Sequence, residues 1–317
     1  MLTYFLLAVG FVFLIKGADL LVEGSSSLAH RMGISQLVIG LTIVSFGTSA
    51  PELLVNIVAS YEGASDVGIG NILGSNIANI FLILGVAALI HPLLIKKTTT
   101  WKEIPLNFLA GVVLFIMAND MMIDGASESV LSRIDGLILM SFFVIFVYYM
   151  VGLAKAENHS DFNNPKHPIL KSVIMVALGL VGLFYGGHWV VDGATTIARN
   201  FGLSEMLIGL TIVAVGTSLP ELATSAVAAY KKNTDIAIGN VVGSNIFNIF
   251  WVLGISASIR PLPFREDINS DLFVYIAATV LLFTYAFIGK RRYIDRIEGG
   301  VFLAAYVAYM VFLIIRG

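Results

Sequence analysis

Two six-residue segments, Gly47-Thr48-Ser49-Ala50-Pro51-Glu52 and Gly216-Thr217-Ser218-Leu219-Pro220-Glu221, set a carboxylate beside two hydroxyls, a glycine and a proline. Each lies in a stretch apolar enough to sit in a bilayer, where an ionisable side chain is costly and marks a partner or a pathway. Proline frees a carbonyl of the preceding turn. A freed carbonyl at membrane depth must line a polar cavity or bind something. Two further segments, Gly-Asn-Ile-Leu-Gly-Ser-Asn-Ile-Ala-Asn-Ile at 70–80 and Gly-Asn-Val-Val-Gly-Ser-Asn-Ile-Phe-Asn-Ile at 239–249, add amides and hydroxyls. Asn71, Ser75 and Asn79, and likewise Asn240, Ser244 and Asn248, recur every four residues and so share one helix face. With Glu52, Glu221, Thr48, Thr217, Ser49 and Ser218 they form a donor set made only of oxygen. Such a set suits a hard cation, Na+ or Ca2+, better than Mg2+, which dehydrates reluctantly. One Ca2+ would neutralise two ionised glutamates, and several Na+ could spread over the same oxygens. Ions that share ligands compete, and competition couples an exchange.

The elements that position these groups follow from composition. Of 317 residues, 57% are hydrophobic and 13% charged, which is the profile of a polytopic membrane protein. The net charge of −2 gives no argument for nucleic acid, and the lack of cysteine excludes disulfides and thiolate chemistry. Apolar runs predict ten transmembrane helices near 2–22, 34–60, 67–93, 104–122, 135–154, 169–191, 203–229, 236–259, 270–289 and 298–315. The first run lacks a basic leader and carries Lys16 and Asp19, so it is read as a retained helix rather than a signal peptide. A polar, turn-rich segment at 155–168 divides the chain into two groups of five.

Sliding 33–93 onto 202–262, an offset of 169 without a gap, gives 34 identities in 61 positions. Five spans per half is an odd number, so the second half must enter the membrane in the opposite sense. The fold expected is an all-α polytopic membrane protein built from two inverted five-helix repeats, 1–154 and 169–317, joined by the linker 155–168. Inverted repeats are the frame on which many transporters alternate access to a midplane site. Odd-numbered loops hold 13 of the 19 Lys and Arg residues. The positive-inside rule therefore places the linker in the cytoplasm and both termini outside, in a multi-pass protein of the cell membrane.

The paired Gly-Thr-Ser-x-Pro-Glu and Gly-Asn-x-x-Gly-Ser-Asn-x-x-Asn-Ile segments resemble the α-repeats of the calcium/cation antiporter superfamily, most of all its prokaryotic sodium/calcium exchanger branch. The resemblance covers nearly the whole chain. It implies Glu52 and Glu221 as central calcium ligands and backbone carbonyls from the region of Thr48 and Thr217. By the same resemblance Ser49, Ser218, Ser75 and Ser244 serve sodium sites, and spans 1 and 6 slide across the rest of the protein. The implied function is electrogenic exchange of Na+ for Ca2+, with no cofactor beyond the transported ions. Proton-coupled relatives typically carry Glu shortly after the Gly-Asn pair. Here those positions are apolar, which disfavours a Ca2+/H+ antiporter. Potassium-dependent relatives carry Asp where Asn248 stands, so the exchange is expected to need no K+.

The same residues admit two other classes. A cation channel could use the same oxygens. An intramembrane serine protease would need a histidine base, and of the five histidines only His188 lies within a span; it is read as packed or facing water. Lys16 and Asp19 are read as an i,i+3 pair, and Glu23 and Asp192 as solvated or ion-entrance charges. The oligomeric state stays open, with a monomer as the default reading.

Overall fold

The computed structural model describes residues 2–156, 167–202, 214–288 and 292–316, and it is mostly helical. Helix α1 spans Leu2–Met32, α2 Gln36–Thr48, α3 Ala50–Glu62, α4 Asp66–Ile90, α5 Thr99–Met117 and α6 Arg133–Ala156. Beyond the linker, α7 spans Ile169–Asn200, α8 Leu219–Tyr230, α9 Thr234–Ile259, α10 Glu266–Tyr285 and α11 Arg296–Arg316. Among the described residues, eight helices are long and apolar enough to cross a membrane, and α2 with α3 forms a ninth span bent by 46°. Most of the expected span 203–229 is α8 and the turn Ala214–Gly216 before it; positions 203–213, with Gly209, lie outside the described residues, as do 157–166 of the linker.

Hydropathy placed the ends of two spans too early. The first continues to Met32 instead of ending at 22, and the sixth to Asn200 instead of 191. At about 1.5 Å per residue a helix of this length exceeds the ~30 Å hydrocarbon core. Each is supported beyond it by the other. A Cβ on Gly10 would stand 3.0 Å from the Gly186 carbonyl, one on Gly17 2.8 Å from that of Gly179, and one on Gly24 2.9 Å from that of Ser172. These contacts recur every seven residues with the two chains running antiparallel, the close approach that small residues permit between membrane helices. Under the offset of 169, α1 and α7 are equivalent. Their antiparallel course is the inversion of one half relative to the other.

Helices α4 and α9 form the centre, with 78% and 94% of their apolar windows buried against 22% for α6. Two short antiparallel ladders tie the halves at the loops: β1, Leu93–Leu94, pairs with β4, Tyr293–Ile294, and β2, Val130–Leu131, with β3, Leu262–Pro263. Asp19, expected from its i,i+3 spacing to pair with Lys16, instead meets Lys231 Nζ at 2.5 Å. Lys231 sits in the turn between α8 and α9, which the folded chain brings against α1, and its charge satisfies Asp19 across the interface. Glu23, one turn further along α1, accepts from His167 Nε2 at 2.8 Å and lies 3.5 Å from the same lysine.

Candidate cation site

Both proline motifs break their helices at the same residue. Ser49 adopts φ −84°, ψ 7° and Ser218 φ −87°, ψ 4°, each ending one helical run and opening another whose first turn carries the proline and the glutamate. The new helices start at mid-span, so the positive ends of their dipoles fall beside Glu52 and Glu221. The glycine of each motif faces α7: a Cβ on Gly47 would stand 2.5 Å from Leu180 Cδ2, and one on Gly216 would collide with Val191. One long helix therefore passes over both breaks.

Glu52 and Glu221 are each 1% exposed. One carboxylate is held across the halves and the other within its own half. Ser49 Oγ donates to Glu221 Oε1 at 3.0 Å, and Ser75 Oγ donates to Glu52 Oε1 at 3.4 Å while also lying 3.4 Å from Thr217 Oγ1. The threonine hydroxyls are engaged crosswise: Thr48 Oγ1 donates to Asn240 Oδ1 at 3.0 Å and Thr217 Oγ1 to Asn71 Oδ1 at 3.2 Å. Asn71 and Asn240 thus brace the breaks by accepting from these hydroxyls, which uses the threonine hydrogens and leaves the oxygen lone pairs. Asn240 Nδ2 also donates to Ser225 Oγ at 3.0 Å.

Six oxygens of this centre are buried without a hydrogen-bond partner among the described residues: Glu52 Oε2, Glu221 Oε2, Ser218 Oγ, Ser244 Oγ, Asn79 Oδ1 and Asn248 Oδ1. Buried polar atoms in folded proteins are nearly always paired, and each exception needs a cause. A cation supplies one, since every atom in the group carries lone pairs and two belong to carboxylates. Among the described residues no three of His, Cys, Asp and Glu converge. The donors are those of a hard ion such as Na+ or Ca2+.

The sequence pattern placed Asn79 and Asn248 on the face shared with Ser75 and Ser244, and the structure keeps both buried. Their amide nitrogens, however, turn to two residues the pattern left out. Asn79 Nδ2 donates to Asn245 Oδ1 and Asn248 Nδ2 to Asn76 Oδ1, both at 2.9 Å. The missed pair was visible as an identity between the repeats, but four-residue spacing selects a single stripe and passes over its neighbour. Near both positions α4 and α9 change to π-helical turns, Asn79–Ile83 and Phe247–Leu253, a wider winding that often marks functional sites.

A crevice of about 170 Å³ on the flank of α7 is lined by Pro51, Gly187, His188, Gly216, Thr217 and Pro220. His188 faces it, more than half exposed, with Asp192 Oδ2 at 3.3 Å from its Nε2.

A family model described as sodium/calcium exchanger protein matches residues 2–152 and 171–315. The chain is 34% identical over 347 residues to the sodium/calcium exchanger MaX1 of Methanosarcina acetivorans, covering 98% of each chain. It is 38% identical over 291 residues to the inner membrane protein YrbG of Escherichia coli, covering 87% of each. Among solved structures it resembles the sodium-calcium exchanger NCX_Mj, in crystals soaked with Na+ and Ca2+, with a TM-score of 0.84 and 33% identity over 98% of both chains.

Proposed function

The chain belongs to the sodium/calcium exchanger protein family, and from that premise we propose that it is a secondary-active antiporter exchanging Na+ for Ca2+, electrogenically and without K+. The observation that carries this is the paired centre at the two helix breaks, where two buried carboxylates and four further buried oxygens lack partners. Glu52 and Glu221 hold Ca2+ in one stage of the cycle. In the other, Na+ ions take the same carboxylates with Ser49, Ser75, Ser218 and Ser244, and with the carbonyls at Thr48 and Thr217. The two ions cannot occupy shared ligands together, so each displaces the other.

An asymmetry between the halves supports alternating access. Ser49 binds the glutamate of the other half, whereas its counterpart Ser218 has no hydrogen-bond partner among the described residues. Two nearly equivalent halves in different arrangements can exchange arrangements, which moves the opening from one side of the membrane to the other. Each repeat, 1–154 and 169–317, is one such half, and 155–168 joins them.

The decisive experiment is ⁴⁵Ca²⁺ uptake into proteoliposomes. Internal Na+ should drive uptake and internal choline should not; an imposed pH gradient should not replace Na+, and external K+ should make no difference. If more than two Na+ leave per Ca2+, a valinomycin potential positive inside should speed uptake by drawing out the surplus charge. Uptake without any counter-ion requirement would identify a channel, and rates indifferent to potential would identify an electroneutral cycle.

Orientation has its own test in a chain without native cysteine. The proposed arrangement puts both termini outside and the linker in the cytoplasm of a cell-membrane protein. A cysteine at Ser127, in the exposed loop before α6, should react with an impermeant thiol reagent from outside only. One at Asn163 should react from the cytoplasm only. Labelling of both from one side would refute the arrangement.

A further inference from the structure

The four asparagines where α4 meets α9 are each no more than 1% exposed. We propose that Asn76 and Asn245 are positioning residues that fix which way the amides of Asn248 and Asn79 point, so that both present oxygen and not nitrogen to a transported cation. This rests on the cation-exchange reading above.

The polarity follows from two backbone groups. A carbonyl can only accept a hydrogen bond. Asn76 Nδ2 donates to the carbonyl of Asn245 at 3.3 Å, which identifies the nitrogen end of the Asn76 side chain. Its other end, Oδ1, must then accept, and it does so from Asn248 Nδ2 at 2.9 Å. The Asn248 oxygen is thereby turned away from Asn76 and left buried without a partner. The second half repeats the sequence of contacts. Asn245 Nδ2 donates to the carbonyl of Asn76 at 3.4 Å, Asn245 Oδ1 accepts from Asn79 Nδ2 at 2.9 Å, and Asn79 Oδ1 is left without a partner. Two carbonyls thus orient four amides.

An amide without such a constraint reverses at little steric cost, because its oxygen and nitrogen ends have nearly the same shape. For a cation site the reversal matters, since it replaces a lone pair by two positive hydrogens. Burial keeps water from serving as a substitute acceptor. Asn76 and Asn245 need not touch the ion; they act on it through the amide they hold.

The test is equilibrium Ca2+ binding to the purified full chain by calorimetry, with thermal melting of each variant. Asn76→Leu removes the acceptor facing Asn248 and should weaken Ca2+ binding by about tenfold, the scale of one hydrogen-bond-strength contact to a charge. In an Asn248→Asp background the side chain has oxygen at both ends and no polarity to fix. There Asn76→Leu should change affinity by less than about twofold. Equal losses in both backgrounds would make Asn76 a packing residue only, and no loss in the first would likewise overturn the proposal. Should the leucine variant fail to fold, Asn76→Asp still offers an acceptor to Asn248 and should bind Ca2+ no more weakly than the parent; a tenfold loss would overturn the proposal. Failure of the parent itself to bind Ca2+ would remove the cation site and this inference with it, whereas unchanged binding by Asn76→Leu beside a binding parent would remove this inference alone.

Discussion

Glu52→Gln and Glu221→Gln should each reduce Na+-driven Ca2+ uptake to the level of protein-free liposomes, with the melting temperature of the purified protein no lower than the parent's. The amide keeps the shape of the carboxylate and removes its charge. Glu52 and Glu221 are both buried at 1% exposure, so solvent cannot make up for the loss. Removing one partner from a buried ion pair costs about 3–5 kcal/mol. At about 1.4 kcal/mol per decade, Ca2+ affinity should fall by roughly two to three and a half orders of magnitude. Folding should not suffer, because in each carboxylate one oxygen has no hydrogen bond to lose. Wild-type exchange in both variants would take these residues out of the mechanism.

Gly17→Leu should abolish transport by a different route, lowering the melting temperature as it does so. The first added carbon would stand 2.8 Å from both the Gly179 carbonyl oxygen and the Leu183 amide nitrogen. Those atoms belong to the backbone of α7 and cannot rotate aside. The helices must separate along their length, and overpacking of this kind costs about 1–3 kcal/mol or more. The consequence extends to the ion site because α7 also covers Gly47 and Gly216 at the two breaks. Gly152→Leu is the control: a Cβ there meets nothing within 4 Å, and both melting and uptake should match the parent. If Gly17→Leu transported normally, the close contact of α1 with α7 would have no part in the cycle.

The composition of the cation centre was legible in the sequence because the chain states it twice. An identity that survives at a fixed offset in a background of interchangeable apolar residues singles out both glutamates, the serines and the paired asparagines as candidates. The helix breaks at Ser49 and Ser218 were equally legible, since glycine and proline act on the backbone locally. Hydropathy also placed the apolar spans, because the cost of polar groups in lipid applies residue by residue.

It could not place the ends of α1 and α7. Hydropathy registers where a helix leaves lipid, whereas these two continue to Met32 and Asn200 because each packs on the other. The partner of Asp19 was hidden for a related reason. Lys16 is near it along the helix, but Lys231, 212 positions away in the chain, is near it in space. The direction of the four central amides lies furthest from the sequence. Asn76 and Asn245 are each fixed by a backbone carbonyl on the opposite half, and they in turn fix Asn248 and Asn79; a backbone carbonyl is the same at every residue, so no letter in the sequence records which one an amide will meet. Residue type determined which donor atoms the chain offers; contacts between segments remote in the chain decided which atom of each residue is left without a partner.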